Sequence, residues 1–219
     1  MTNTTTPTGI LVICRHAESE WNSLGIWTGL TDVGLSDKGR ADAMLLGEKL
    51  KDITFVAAYT SALIRTQQTL DGILSGKGSQ LDLPRVASAP LNERDYGDLT
   101  GKNKWQVQEE IGDEAFTGIR RGWDYPVPGG ETLKDVYLRA LPYFKSDILP
   151  RLQRGENVLM VAHGNTIRAL MKEFDQVADA DISTVEMPFD NILVYTFAAG
   201  SEIPIQKQVR TIEIAKSNG

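Results

Sequence analysis

Short apolar runs rich in Ile and Val alternate along the chain with longer stretches whose apolar residues recur every three or four positions. The short runs read as strands buried on both faces, and the long ones as amphipathic helices. Their alternation predicts an α/β fold with a mostly parallel central sheet flanked by helices on both faces. Strands are expected at 10–14, 55–59, 85–88, 157–162, 191–197 and roughly 205–214, the last at an edge.

A helix should run from a Ser36 cap to about Lys51, with Ala43, Met44, Leu46 and Leu50 on its apolar side. Thr60 and Ser61 can cap a second helix through Leu74, which puts Arg65 near its N-terminus. Residues 73–84 hold Gly76, Gly78 and Pro84 and read as a turn region. Residues 92–125 are polar with helical pieces. Glu131 starts a helix that Pro142 should kink or interrupt, and Gly164 opens one through Phe174. The loop at 15–35 is long, and loops of that length are usually functional.

The chain has 219 residues, 41% apolar and 24% charged, which fits one globular domain over 1–219 with loose tails at 1–9 and about 214–219. A net charge of −6 argues against a nucleic-acid or membrane-surface binder, since both need broad positive fields. The opening residues lack the cationic start and apolar centre of a secretory signal, and no apolar run could cross a bilayer. A cytoplasmic protein is the expectation. The single cysteine, Cys14, sits within the first strand and reads as a buried, inert thiol.

Only two histidines occur, His16 and His163, and each follows an apolar strand run closely. Ligands of open parallel sheets bind beyond the carboxyl ends of strands, so both occupy a position suited to a site and could face each other. Arg15 adds a guanidinium fork beside His16, and Arg65 a second cation. Backbone N–H groups of Gly164, Asn165 and Thr166 at a helix start make an anion site. A phosphate is the implied ligand, and an imidazole in such a nest can pass a phosphoryl group through a phosphohistidine. No Walker segment, acidic ligand cluster or paired cysteines are present, so neither nucleotide nor metal is predicted. Cys14 is followed six places later by Glu20, where a cysteine phosphatase needs Arg.

The run Arg15-His16-Ala17-Glu18-Ser19-Glu20-Trp21-Asn22 resembles the R-H-G-E-S-x-W-N signature of the cofactor-dependent phosphoglycerate mutases in the histidine phosphatase superfamily. Thr28-Gly29, Thr60-Ser61 with Arg65, Leu91-Asn92-Glu93-Arg94 with Tyr96-Gly97, Asn103-Lys104, Arg120-Arg121, and Ala162-His163-Gly164-Asn165 with Arg168-Ala169-Leu170 continue it in order. The resemblance implies a phosphoglycerate mutase-like fold, phosphoglycerates as small-molecule partners, 2,3-bisphosphoglycerate as primer and no metal. It makes His16 the nucleophile, with Arg15, Arg65 and His163 on the transferring phosphoryl group and Glu93 exchanging a proton with the substrate hydroxyl. Asn22, Gly164 and Asn165 would add donors there. Thr28, Gly29, Tyr96, Lys104, Arg120 and Arg121 would hold the substrate carboxylate and its second phosphate.

Several positions depart from that pattern: Ala17 for Gly, Gly25 for Asn, Leu30 for Trp, Asp95 for His and Ile119 for Trp. Asp95 could repel an anionic substrate unless it points outward. Met187-Pro188-Phe189-Asp190 replaces small residues, and residues 125–132 are shorter than usual; either change could alter a subunit contact or a lid, which leaves a homo-oligomer open. Glu18 and Glu20 read as structural or solvated charges, and the four tryptophans as packing for loops. Two other functions compete: a broad-specificity histidine phosphatase in which water accepts the phosphoryl group, and a catalytically weak module that binds phospho-ligands.

Overall fold

The computed structural model describes residues 7–213, so residues 1–6 and 214–219, which include most of the expected tails and Ile214 of the expected last strand, lie outside it. Strand β1 (Thr8–Arg15) begins inside the expected N-terminal tail, because Thr8 and Gly9 pair with Ala198 and Phe197 through the backbone ladder, which does not depend on apolar side chains. The other strands are β2 (Ala57–Thr60), β3 (Arg85–Ala87), β4 (Val158–Ala162), β5 (Asn191–Ala198) and β6 (Gln206–Thr211). They form one six-stranded sheet in the order β3-β2-β4-β1-β5-β6. The β1, β2, β3 and β4 pairings are parallel, while β5 runs antiparallel to both β1 and β6.

Alternation along the central strands divides the core. Leu11 and Ile13 of β1 join Val158 and Met160 of β4 on one face, under α6 (Leu133–Tyr143), α7 (Leu149–Gln153) and α8 (Gly164–Phe174). Val12 and Cys14 join Leu159 and Val161 on the other, under α2 (Asp37–Glu48) and α3 (Ile64–Lys77). Burial pushes the Cys14 thiol up to about 12, so it stays protonated and unreactive. A short α1 (Glu20–Ser23) breaks the long loop after β1, and α4 (Lys104–Ile111) and α5 (Asp113–Arg121) lie in the polar middle of the chain. Among the described residues no helix is long and apolar enough to cross a membrane.

Three local expectations change. Met44 is exposed, because Ala43, Leu46, Gly47 and Leu50 form the inward stripe and Met44 lies off it. Helix α3 starts at Ile64 with no side-chain cap from its N-cap residue; Asp32 accepts from the Ile64 N–H at 2.6 Å, while Ser61 Oγ accepts from the Leu63 N–H at 3.1 Å, one residue before the helix. The helix then runs through Gly76 to Lys77 instead of turning at 73, ending at Gly78 in the left-handed region.

Gly76 is there for contact, not for a turn: a Cβ on it would meet the Met44 carbonyl at 1.9 Å, and one on Gly47 the Ile73 carbonyl at 2.0 Å. The two helices pack backbone to backbone. Gly47→Ala is expected to destabilise the protein by about 2 kcal/mol through overpacking, seen as a lower urea midpoint with an unchanged slope.

Pro142 leaves α6 helical to Tyr143 and is followed by a π-helical turn, Phe144–Ile148, that leads into α7. Pro142 lies on the exposed face, where water can satisfy the carbonyl that it cannot serve.

Candidate active site

Strands β1 and β4 are neighbours in register, with Arg15 level with Ala162. The next residue of each is a histidine, and the His16 N–H donates to the Ala162 carbonyl at 2.8 Å. The rings stand 4.9 Å apart, tilted by 59°. His16 Nδ1 lies 2.7 Å from the Ala17 carbonyl. A carbonyl only accepts, so this contact assigns the ring proton to Nδ1 and leaves the Nε2 lone pair free.

His163 is fully buried, with Nε2 against Ser61 Oγ at 2.8 Å and Nδ1 without a protein partner. Burial holds both imidazoles well below their ordinary range, and Arg65 and Arg15 push them further down, with Lys104 adding at His16 and each ring opposed by cationic neighbours. Both rings are neutral at pH 7. A neutral ring is what a nucleophilic nitrogen requires.

A cleft of about 200 Å³ opens over His16. Every expected site residue lines it except His163, whose buried ring packs 4.9 Å from that of His16. Arg15 donates from Nη1 to the Met187 carbonyl at 3.1 Å, and Arg65 spans the carbonyls of Thr31 and Gly29 at 2.9 and 2.8 Å. Gly164 opens α8 beside them, so close that a Cβ there would touch the Arg15 guanidinium at 3.4 Å. Asn22 caps α1 reciprocally with Ser19 at the cleft edge.

Glu93 is nearly buried; its Oε1 accepts from the Arg94 N–H at 2.8 Å and from Asn165 Nδ2 at 3.1 Å. Asn165 Nδ2 also meets the Tyr96 hydroxyl at 2.9 Å.

The far wall rests on a separate small core. Trp27, Val107, Phe116 and Ile119 pack together with Tyr96 and seat α4 and α5, whose Lys104, Arg120 and Arg121 face the cleft. Ile119 fills its place in this core as an apolar side chain. Burial, then Arg120 and Arg15, lowers Lys104 to about 8. Arg121 pairs with Glu186 at 2.6 Å.

Cations dominate the lining: Arg15, Arg65, Lys104, Arg120, Arg121 and Arg168 face only Glu93 and Glu186. Buried Arg15 Nε, Arg65 Nε and Thr28 Oγ1 have no protein partner. Unmade buried hydrogen bonds cost about 1–3 kcal/mol each, and the oxygens of an anion would satisfy them. One ligand atom each from His16, Glu93 and His163 falls within 4.8 Å of the others, a spacing that could hold a metal ion. The six surrounding cations favour a polyanion over a dication at this spot.

Asp95 turns its carboxylate to the Gly97 N–H at 2.8 Å and does not line the cleft, so it does not confront an incoming anion. Among the tryptophans Trp105 is largely exposed, while Trp27 both packs the small core and lines the cleft. Sequence reasoning also missed Arg168, Glu186, Met187 and Pro188 as lining residues. The departure at 187–190 packs onto the site itself: Phe189 lies under the Arg15 guanidinium at 3.8 Å and edge-on to His16 at 6.0 Å. An aromatic following Met-Pro after an irregular stretch was the available signal. Its meaning depended on the distant strand end that it covers.

A family model described as histidine phosphatase superfamily (branch 1) matches residues 11–204. The chain is 43% identical over 196 residues to a 2,3-bisphosphoglycerate-dependent phosphoglycerate mutase of Rhodopseudomonas palustris (strain BisB18), covering 89% of this chain and 94% of that one. By structure it is similar to a mycobacterial glucosyl-3-phosphoglycerate phosphatase, with TM-score 0.75, 23% identity and 93% and 98% of the two chains covered. It is equally similar to a phosphoglycerate mutase from Bacillus anthracis str. Sterne, with TM-score 0.75, 21% identity and 94% and 93% covered. At those identities the two structures speak for the fold alone.

Proposed function

This chain belongs to the histidine phosphatase superfamily, branch 1, and within it to the 2,3-bisphosphoglycerate-dependent phosphoglycerate mutases, and from that membership we propose that it interconverts 3-phosphoglycerate and 2-phosphoglycerate through a phosphohistidine at His16. The primer, 2,3-bisphosphoglycerate, supplies the first phosphoryl group. A cytoplasmic location and small-molecule phosphoglycerate partners belong to the same reading.

His16 Nε2 takes the phosphoryl group while Arg15, Arg65, the α8 N-terminus and His163 surround its oxygens. Charge that spreads over those oxygens in the transition state meets donors already in place, so little reorganisation is needed. When the group moves to the C2 hydroxyl of 3-phosphoglycerate, the N–P bond breaks, an O–P bond forms and Glu93 receives the hydroxyl proton. In the return transfer His16 attacks the C3 phosphoryl group and Glu93 gives its proton to the departing oxygen. Protons balance over the cycle.

The single observation that carries this reading over hydrolysis is the second cationic group, Lys104, Arg120 and Arg121, in the same cleft as His16. A phosphatase needs one phosphate nest. A mutase must also hold the remaining phosphate and carboxylate while the bound molecule turns over.

The test assays 3-phosphoglycerate conversion with chelator present, with and without 2,3-bisphosphoglycerate. Wild-type turnover is expected to need the primer and to ignore the chelator; chelator-sensitive, primer-independent turnover would sink the mutase reading. In the same assay Arg120→Ala is expected to lower mutase kcat/KM by about 10- to 100-fold, and hydrolysis of a simple monophosphate ester far less. Equal losses would count against a second clamp. The phospho-ligand-binding alternative predicts no acid-labile phosphoenzyme at all.

A further inference from the structure

Arg168 lines the cleft, yet its guanidinium is fully committed within the protein. Nε donates to the Val185 carbonyl at 2.9 Å, Nη1 to the Arg120 carbonyl at 3.2 Å and to Asn165 Oδ1 at 3.1 Å, and Nη2 to the carbonyls of Arg121 and Ile182, both at 2.9 Å. A guanidinium has five N–H donors, and these five bonds use them all. The side chain is 4% exposed. Arg168 therefore has no donor left for a ligand, despite its charge and its place.

Its partners suggest another task. The Arg120 and Arg121 carbonyls lie at the C-terminal end of α5, where the last turn lacks intrahelical donors. Arg168 caps that end from α8, the helix that starts beside His163. The same guanidinium occupies Asn165 Oδ1, which leaves Nδ2 as the group facing Glu93 and Tyr96. An amide turned the other way would set an oxygen against the Glu93 carboxylate.

We infer that Arg168 is a positioning residue: it fixes the backbone beneath Arg120 and Arg121 and the orientation of Asn165, and so holds the second clamp in register with the proton-exchanging carboxylate. This rests on the mutase reading above. Lysine cannot replace it, because an ammonium is a point charge with three donors and cannot span carbonyls from separate segments.

The experiment compares wild type, Arg168→Lys and Arg168→Gln in two reactions. One is primed conversion of 3-phosphoglycerate. The other is hydrolysis of p-nitrophenyl phosphate, which has no carboxylate or second phosphate for the clamp, and whose leaving group departs as an anion without a proton from Glu93.

Arg168→Lys is expected to raise the KM for 3-phosphoglycerate about tenfold or more while p-nitrophenyl phosphate hydrolysis changes less than about threefold, since a small misplacement of binding groups is costly only where they are used. In an Arg120→Ala, Arg121→Ala background the same substitution should raise KM clearly less than it does alone, because the clamp, one of its two routes to the substrate, is already gone. An unchanged KM, or parallel losses in both reactions, overturns the inference. So does failure of both variants to fold by near-UV circular dichroism, which would make Arg168 a stability residue only. If wild type itself lacks primed conversion, the mutase reading fails instead, and the two failures are told apart by that control.

Discussion

His16→Ala is expected to abolish the acid-labile phosphoenzyme and to lower primed mutase turnover by about 10⁴-fold or more, the scale seen when a nucleophile is removed. Three features single out this ring over its neighbour. Its Nδ1 is committed to the Ala17 carbonyl, so Nε2 carries the free lone pair. It lines the cleft, whereas His163 is fully buried, holds Nε2 against Ser61 and keeps only Nδ1 without a partner. Burial above all lowers its basicity, and Arg65 and Arg15, which lower it further, would hold the incoming phosphoryl group. The substitution removes no charge at pH 7, so the fold should persist. Labelling with phosphate-labelled primer, followed by acid and base quenches, reads the outcome directly. Normal labelling in His16→Ala would move the nucleophile to His163.

Glu93→Gln is expected to cut mutase turnover by about 10²- to 10⁴-fold, the range for a general acid–base group, while phosphohistidine still forms. Glutamine keeps the shape, and its carbonyl oxygen can accept from the Arg94 N–H and Asn165 Nδ2 as the carboxylate does. What it loses is the ability to take up and return a proton. Rapid-quench measurement separates the steps: the level of phosphoenzyme should stay near that of wild type while its transfer to 3-phosphoglycerate slows. A mutase rate within about threefold of wild type would exclude Glu93 from proton exchange, because a loss that small falls below any acid–base contribution.

These two effects act on one cleft through different steps, and the second clamp supplies a third. Arg15 and Arg65 are pinned by backbone carbonyls at Met187, Thr31 and Gly29 rather than by acidic partners. Glu93 nearby favours both charges but forms no ion pair with either, so the cationic excess of the cleft is offset only when an anion arrives. Arg121 differs, since Glu186 occupies it at the exposed rim. An exposed pair of this kind contributes little stability and yields readily to a substrate carboxylate or phosphate.

How far the site was legible varied with the kind of information each residue carries. His16 and His163 could be placed beyond strand ends because β1 and β4 are continuous apolar runs, and that pattern is local. Arg65 at the start of α3 followed from helical spacing. The roles of Glu93, Lys104, Arg120 and Arg121 came from motif resemblance, since nothing in their own segments separates a ligand from a solvated charge. Gly76 was misread because a glycine that admits another helix looks, in sequence, like one that makes a turn. Arg168 carried no readable role at all: four of its five acceptors are backbone carbonyls, which every residue possesses.

By itself the sequence determined where the strands lie, most of the inward faces of the helices, and the presence of two histidines and several arginines at element ends, because periods of two and of 3.6 are properties of a segment alone. Only the tertiary structure decided that β4 lies beside β1 in register, that α5 is capped from α8, and that Phe189 and Met187 close on Arg15. Those choices are made by burial and hydrogen bonding between segments far apart in the chain. Hence the first histidine could be found from its own neighbours, but the cleft it serves could not.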